Sequence, residues 1–511
     1  MVYITTKHVH PQDLSYLGDL IMSSKFHTHV PIHMYSYFTA KDNINNIEKN
    51  VFNIQFSAER EVIDTTKFNL TFGSTATDID EKKIWYPYLL KKNPYDLLLK
   101  NKILNEPTKF CSFVVLNHRC EMRNKFFDYV CENYKKVDSL GKHKRNVEDT
   151  VAAEVEKYSI YDHRYLEVLS RYKFMICFEN ESEPFYITEK IANAWLAGCI
   201  PIYWGMKDIE YVINKKAFIH IKDEKDFPSA LERIKELDTN PELYEKMRRQ
   251  PFFQYDKVPY FFTKDYYVEK INEVFDKTFN IGIEKKKKVI SYSLYGTKPI
   301  YLKGAIRNVE LSQLLYPGWE LWFYTDTSVD KNIVDKLKSF KHVKIVDIDI
   351  SKLPNNNWAK CFRYFPMDDS RVEIMLSRDT DSRFSIREVN AVNEWLATGK
   401  TFHIMRDHPC HGVPILGGAY GSRKIKDFKF IPNMKPYIEM QGWEIDQIFM
   451  KERVYPLIKD DCVIHAQFYK YETTALDFPD LYIDKHFVGE YIDENDVRGG
   501  HYKDIPDNMS L

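Results

Sequence analysis

An α/β fold made of more than one Rossmann-like unit is what this sequence predicts, and three observations carry that expectation. Tyr172 to Gly205, YKFMICFENESEPFYITEKIANAWLAGCIPIYWG, reads as strand, polar loop, helix and strand in one pass. A second strand-and-helix series restarts at Val289. The chain has 511 residues, too many for one ordinary core, and that length suggests about three compact units.

In the first series, Phe174 to Phe178 is a short apolar run suited to a buried strand, and Glu179 to Tyr186 is a polar loop broken by Pro184. Thr188 is placed to N-cap the helix that follows. Ile191, Ala194 and Trp195 give that helix an inner face, Gly198 ends it, and Cys199 to Tyr203 return as a strand. Such a βαβ unit sets backbone N–H groups and a positive helix end beside the carboxyl end of a strand, where a diphosphate binds well. Lys190 adds a full charge there. The same spacing also suits a plain βαβ core with surface carboxylates. Tyr266 to Phe279 reads as a helix rich in aromatics, and Asn280–Lys288, NIGIEKKKK, as a junction; its lysines suit a solvated linker better than a lipid-binding patch.

Past the junction, VISYSL predicts a strand, GAIRNVELSQLL a helix, Trp319–Tyr324 a strand after the PGW turn, and His342–Val346 another. Val372–Ser377 is an apolar strand that delivers Arg378, Asp379, Thr380, Asp381 and Ser382 at its carboxyl end. Asp379 and Asp381 in such a turn can face one hard cation, whose remaining ligands would be diphosphate oxygens. Paired aspartates are also common in ordinary turns. A helix at Glu388–Ala397, a strand at Thr401–Met405 and a glycine-rich loop follow; Asp446 begins a further helix, and Val463–Ile464 presents His465. His403, His408 and His411 cross a strand, an Asp and a Pro, a spacing poorly suited to zinc; Arg406, Asp407, His408 and His411 are expected to line a ligand cleft. Gly417, Gly418 and Gly421 suit either close approach to a ligand or tight turns.

Lys and Arg number 73 against 74 Asp and Glu, giving a formal charge of −1. With the charges interspersed, no nucleic-acid-binding face is expected. The eight cysteines form no CxxC pair and read as reduced packing residues. No apolar run approaches the roughly 20 residues that span a bilayer, and the N-terminus lacks a charged-then-apolar signal, so a soluble cytoplasmic enzyme is expected.

The segments FEN, YITEK and AxxAGxIPIYWG resemble the donor-site signature of the alpha-1,3-fucosyltransferases. The similarity extends to Cys111–Asn124, to Ile219–Phe253 and, more weakly, to Phe56–Tyr88. The resemblance implies a GT-B fold of two Rossmann-like halves: 1–105 on the acceptor side, 106–280 holding the donor and a closing helix, then 281–288 as linker. It implies GDP-fucose as donor, inversion at the anomeric carbon, and a glycan or glycoprotein acceptor. Residue by residue, it makes Arg123 and Lys190 partners of the donor diphosphate, Asn180 and Tyr186 donor-binding, and Glu189 the carboxylate near the fucose ring. Glu59, in FSAEREV, matches the general base, with Ala58 and Arg60 in place of the family's usual neighbours and Glu61 and Asp42 as fallbacks. No metal is required in this half.

Roughly residues 288–470 look like the GT-A sugar-nucleotide transferases through RDTDSRFSIREVNAVNEWLATGKTFHIMRDHPCHGVPILGGAYG, which implies a GT-A-like domain over 289–511. That resemblance implies Mn²⁺ or Mg²⁺ on Asp379 and Asp381, with His465 as candidate third ligand, and a second nucleotide sugar of unknown identity. The expectation is a bifunctional glycosyltransferase adding two sugars in succession. The alternatives are one active fucosyltransferase beside a GT-A-like glycan-binding or scaffolding module, or a non-enzymatic lectin-like protein.

Overall fold

A computed structural model describes residues 4–7, 15–24, 32–36, 47, 51–57, 65–75, 82–91, 102–116, 118–148, 163–279, 286–352, 356–437, 440, 442 and 444–510. Glu59, Glu61 and Asp42 lie outside the described residues. The chain falls into two compact units, Met1–Gly282 and Ile283–Leu511.

Among the described residues, the first unit holds two all-parallel sheets. One runs in chain order: β1 (Ile4–Lys7), β2 (Ile32–Ser36), β3 (Phe52–Ser57), β4 (Leu70–Gly73) and β5 (Lys83–Trp85). Helix α1 (Ser15–Met22) links its first two strands. The other sheet is built from β6 (Lys109–Phe113), helix α2 (Glu121–Asn133), β7 (Asp138–Ser139), helix α3 (His163–Leu169), β8 (Tyr172–Ile176), helix α4 (Glu189–Leu196), β9 (Ile200–Tyr203) and β10 (Ile219–His220). Its strand order is β10-β9-β8-β6-β7. From β6 the chain first moves outward to β7, then returns to β8 on the opposite side. The sheet therefore reverses direction between β6 and β8, where open α/β sheets hold ligands beyond their carboxyl ends. Strands buried on both faces read as continuous apolar runs, and Phe113, Phe174, Ile176, Ile200 and Ile202 join Phe126 and Val130 of α2 in one core.

Two helices, α5 (Phe227–Thr239) and α6 (Pro241–Arg248), complete that core through Leu231, Ile234 and Tyr244. Helix α7 (Lys264–Thr278), capped by the Thr263 hydroxyl accepting from the Tyr266 N–H at 3.3 Å, runs back to the first sheet. There the Tyr267 hydroxyl donates to the Trp85 carbonyl at 3.3 Å, and its ring meets Tyr86 edge-on.

The second unit is one seven-stranded sheet with the order β13-β12-β11-β14-β16-β15-β17. Its strands are β11 (Lys287–Leu294), β12 (Glu320–Thr325), β13 (Val343–Asp347), β14 (Val372–Arg378), β15 (Phe402–Arg406), β16 (Ala419–Arg423) and β17 (Cys462–Ala466). Among the described strands, β16 alone is antiparallel to its neighbours. Helices α8 (Pro299–Leu315), α9 (Lys331–Lys338) and α10 (Ile386–Thr398) make the crossovers. The Ser385 hydroxyl caps α10, and Gly399 ends it at φ 71°. This sheet reverses direction between β11 and β14. β16 corrects the sequence expectation, which read Gly421 with Gly417 and Gly418 as part of a glycine-rich loop; the strand forms because Leu376 to Arg378 and Phe402 to Ile404 offer it partners on both edges.

Candidate functional site

In the first unit the loop after β8 and the first turn of α2 converge on the reversal point. Glu179, fully buried, is the hub. Its Oε1 accepts the backbone N–H of Thr188 at 2.8 Å, its Oε2 accepts the Thr188 hydroxyl at 2.8 Å, and Lys190 Nζ donates to Oε2 at 2.9 Å. Thr188 does stand at the N-cap position of α4, but its hydroxyl serves Glu179 and makes no side-chain cap. That corrects the sequence expectation: a buried carboxylate accepts the Thr188 backbone N–H and outcompetes the backbone for the hydroxyl. Burial opposes the charge on Lys190, yet Glu179 and then Glu189 raise its pKa above the usual lysine range, so it stays an ammonium.

Arg123, on α2, is 2% exposed and reaches across the reversal point, where its Nη1 donates to Asn180 Oδ1 at 3.2 Å. Burial lowers its pKa, while Cys120, Glu179 and Tyr186 act in the opposite direction. Tyr186 is buried close enough to act on both cations. The structure thus brings Arg123, Asn180, Tyr186, Glu189 and Lys190 into one neighbourhood. Arg123 on α2 and Lys190 at the start of α4 stand beside the carboxylates of Glu179 and Glu189, so what the cluster offers an anion is the directed N–H donors of these two cations and of the helix start. An open cleft of about 470 Å³ lies alongside, between the 180–183 loop and Arg119 to Met122, with Trp204 on its wall.

Two backbone features hold the loop. Phe185 sits at φ 66°, an uncommon conformation for a bulky residue, and is held there by the Trp85 indole N–H donating to its carbonyl at 3.0 Å. Gly205 lies so near Glu179 that a Cβ there would stand 2.6 Å from both Glu179 Cγ and the Tyr203 hydroxyl. Glu179 and Gly205 hold the geometry of this cluster, yet their places within the motifs FEN and IPIYWG suggested no role from sequence; the signal was a carboxylate directly after an apolar strand.

The second unit repeats the device. Asp379 follows β14 at the reversal point, and Arg363, from the 3₁₀ stretch Asn356–Asp368, bridges Asp379 and Asp446, the latter at 2.8 Å from its Nη2. Burial and then the like charge of Asp379 push the Asp381 carboxyl up to about 6. Gly417 and Gly418 pack against this group: a Cβ on Gly418 would fall on the Asp379 carboxylate. Gly421 lies inside β16 under Trp395. Arg363 and Asp446 carry no motif, and the sequence reading missed Arg363.

His465 is not with this pair. It is fully buried in β17, its Nδ1 is 2.8 Å from His403 Nε2, and its Nε2 is 3.5 Å from Glu394. Strands β16 and β15 stand between it and β14, so it corrects the expected third ligand. Arg406 and Asp407 do not line a cleft either. Arg406 pairs with Glu472 and Asp407 with Arg387, both as buried ion pairs that seal loops.

Residues 105–275 match the family model described as "Glycosyltransferase family 10 (fucosyltransferase) C-term". The matched stretch contains Arg123, Glu179, Asn180, Tyr186, Glu189 and Lys190 and leaves out the whole second unit. The chain is 32% identical over 235 residues to "Putative fucosyltransferase" of Acanthamoeba polyphaga mimivirus, which is 45% of this chain and 37% of that protein. It is 34% identical over 161 residues to the alpha-(1,3)-fucosyltransferase FucT of Helicobacter pylori, 31% of each chain. It thus spans about a third of the length of these relatives. A crystal structure of an alpha1,3-fucosyltransferase with GDP-fucose aligns at 21% identity and a TM-score of 0.37, covering 49% of this chain and 79% of that one.

Proposed function

We propose that the first unit is an inverting fucosyltransferase of the GT-B kind, which moves L-fucose from GDP-fucose to a glycan hydroxyl in alpha-1,3 linkage. The observation that carries this reading is the Arg123–Asn180 and Lys190–Glu179 cluster at the sheet's reversal point, inside the segment that matches the fucosyltransferase family. Arg123, Lys190 and the start of α4 take the diphosphate. As the bond from fucose C1 to the diphosphate oxygen breaks, its electron pair stays on GDP, and these cations meet the growing charge. Glu189 faces the oxocarbenium character of the ring. The acceptor hydroxyl attacks C1 from the opposite side and gives its proton to a carboxylate, for which Glu59 is the candidate.

The second unit is a sugar-nucleotide transferase of the GT-A kind with an unassigned donor. Asp379 and Asp381 fit Mn²⁺ or Mg²⁺, since burial and the like charge of Asp379 both oppose ionisation of Asp381 and a divalent cation would relieve that repulsion. When bound, the cation supplies Lewis-acid neutralisation of a leaving diphosphate. A second reading rests on Arg363, which already engages Asp379 and Asp446: that guanidinium can serve as the cation of a sugar-binding module without catalysis.

Nucleoside-diphosphate release from a panel of sugar nucleotides, using the full chain with Mn²⁺ or with excess EDTA, tests both. GDP-fucose turnover should persist in EDTA and vanish in Lys190→Ala, while a second, Mn²⁺-dependent turnover should vanish in Asp381→Asn. GDP-fucose turnover that needs Mn²⁺ contradicts the first assignment. Absence of any second turnover supports the binding-module reading.

A further inference from the structure

We propose that Cys410, His501 and Asp504 of the second unit form a zinc site, with His408 as its positioning residue. The thiol, imidazole and carboxylate atoms lie within 4.8 Å of one another. His501 and Asp504 stand three residues apart on the 3₁₀ turn Gly500–Asp504, where side chains at that spacing eclipse. Their Nδ1 and Oδ2 atoms are 3.6 Å apart. A tetrahedral zinc with bonds of roughly 2.0–2.3 Å sets its ligand atoms about 3.3–3.6 Å apart. All three side chains are exposed, so the thiol can close the remaining distance by rotation.

Chance proximity of two surface turns would leave them loosely joined, whereas here a buried residue fastens them. His408 is 1% exposed and uses both ring nitrogens on backbone. Its Nδ1 accepts the Cys410 N–H at 3.0 Å, and its Nε2–H donates to the His501 carbonyl at 2.9 Å. An amide donor on one side and a carbonyl acceptor on the other define the neutral Nε2–H tautomer. Phe487 stacks on the ring at 4.1 Å and fixes its plane. One imidazole therefore sets the spacing between Cys410 and the turn that carries the other two ligands, the task that outer-shell partners perform in metal sites.

Ligand chemistry selects the metal. Thiolate with imidazole favours zinc over Mn²⁺ or Mg²⁺, which prefer an all-oxygen set. Asp379 and Asp381 are such a set, and they follow β14, separated by β16 from β15 and the turn that carries Cys410. Three protein ligands leave a fourth position for water. The clip would tie the C-terminal turn to the carboxyl end of β15.

Full-length protein stripped with EDTA and dialysed against Zn²⁺ should retain one zinc that Mn²⁺ does not displace. Co²⁺ in its place should show a thiolate charge-transfer band and tetrahedral absorption. Cys410→Ser and His501→Ala should abolish retention and band, whereas the Asp379→Asn, Asp381→Asn double variant should keep both. Because Cys410 is exposed, zinc-free Cys410→Ser should melt with zinc-free wild type, which separates lost binding from unfolding. His408→Ala should weaken zinc about 10–100-fold with the cobalt band still reached at saturation. A wild-type cobalt spectrum without the thiolate band, or undiminished zinc in Cys410→Ser, would overturn the proposal.

Discussion

Glu179 decides the geometry of the first site. A carboxylate fully out of water is costly unless it is hydrogen-bonded and paired with a cation, and here the Thr188 backbone N–H, its hydroxyl and Lys190 supply three donors. Glu179→Gln keeps the shape but removes the charge that holds Lys190. It should lower stability by about 1–3 kcal/mol, read as a smaller urea midpoint; an unchanged midpoint would mean that Lys190 is held by other groups. The residue roles were only partly legible. Arg123, Asn180, Tyr186, Glu189 and Lys190 were named from the resemblance, and they meet because they stand just beyond adjacent strands. His465 went astray because a sequence does not say where a strand sits in a sheet: β17 is an edge strand next to β15. Arg363 was invisible, as it comes from a 3₁₀ stretch without a motif.

Elements followed the sequence where caps and apolar runs agreed. The β8–α4–β9 unit was legible because a buried strand, a Thr at the N-cap position and Gly198 at φ 78° punctuate it, and α10 was legible through its apolar face. β16 was not, since Gly417, Gly418 and Gly421 read as loop residues. Those glycines are there for proximity. In the first unit, Gly205→Ala forces Glu179 or Tyr203 to move and should cost about 1–3 kcal/mol. Its direct readout is weaker GDP binding, because the loop that carries Asn180 moves with Glu179; GDP affinity equal to wild type would show that the loop absorbs the methyl group elsewhere. In the second unit, Gly418→Ala displaces the Asp379 carboxylate and should weaken Mn²⁺-dependent nucleotide binding while fucose transfer stays intact. Loss of both activities would mean that the substitution unfolds more than its own unit.

At the scale of the whole molecule, both units place a charged cluster where the sheet reverses direction, one pairing two cations with two carboxylates and one dominated by carboxylates. On the proposed reading, the two clusters would call for different conditions: the first would take a diphosphate unaided, and the second would need a divalent cation to do so. Two compact units with separate ligands should respond separately to them. In calorimetric melting, GDP at about 100 times its Kd should stabilise one transition by about 2.7 kcal/mol and leave the other in place; a uniform shift of a single transition would mean that the units unfold as one. The most direct test of the central assignment is titration calorimetry of GDP-fucose into the full chain in excess EDTA, comparing wild type, Lys190→Ala and Asp381→Asn. One-to-one binding is expected in wild type and in Asp381→Asn, with a loss of about 10–100-fold in Lys190→Ala, the worth of one charge-assisted contact. Binding that needs Mn²⁺, or that survives Lys190→Ala and disappears in Asp381→Asn, would contradict the placement of the GDP-fucose site in the first unit.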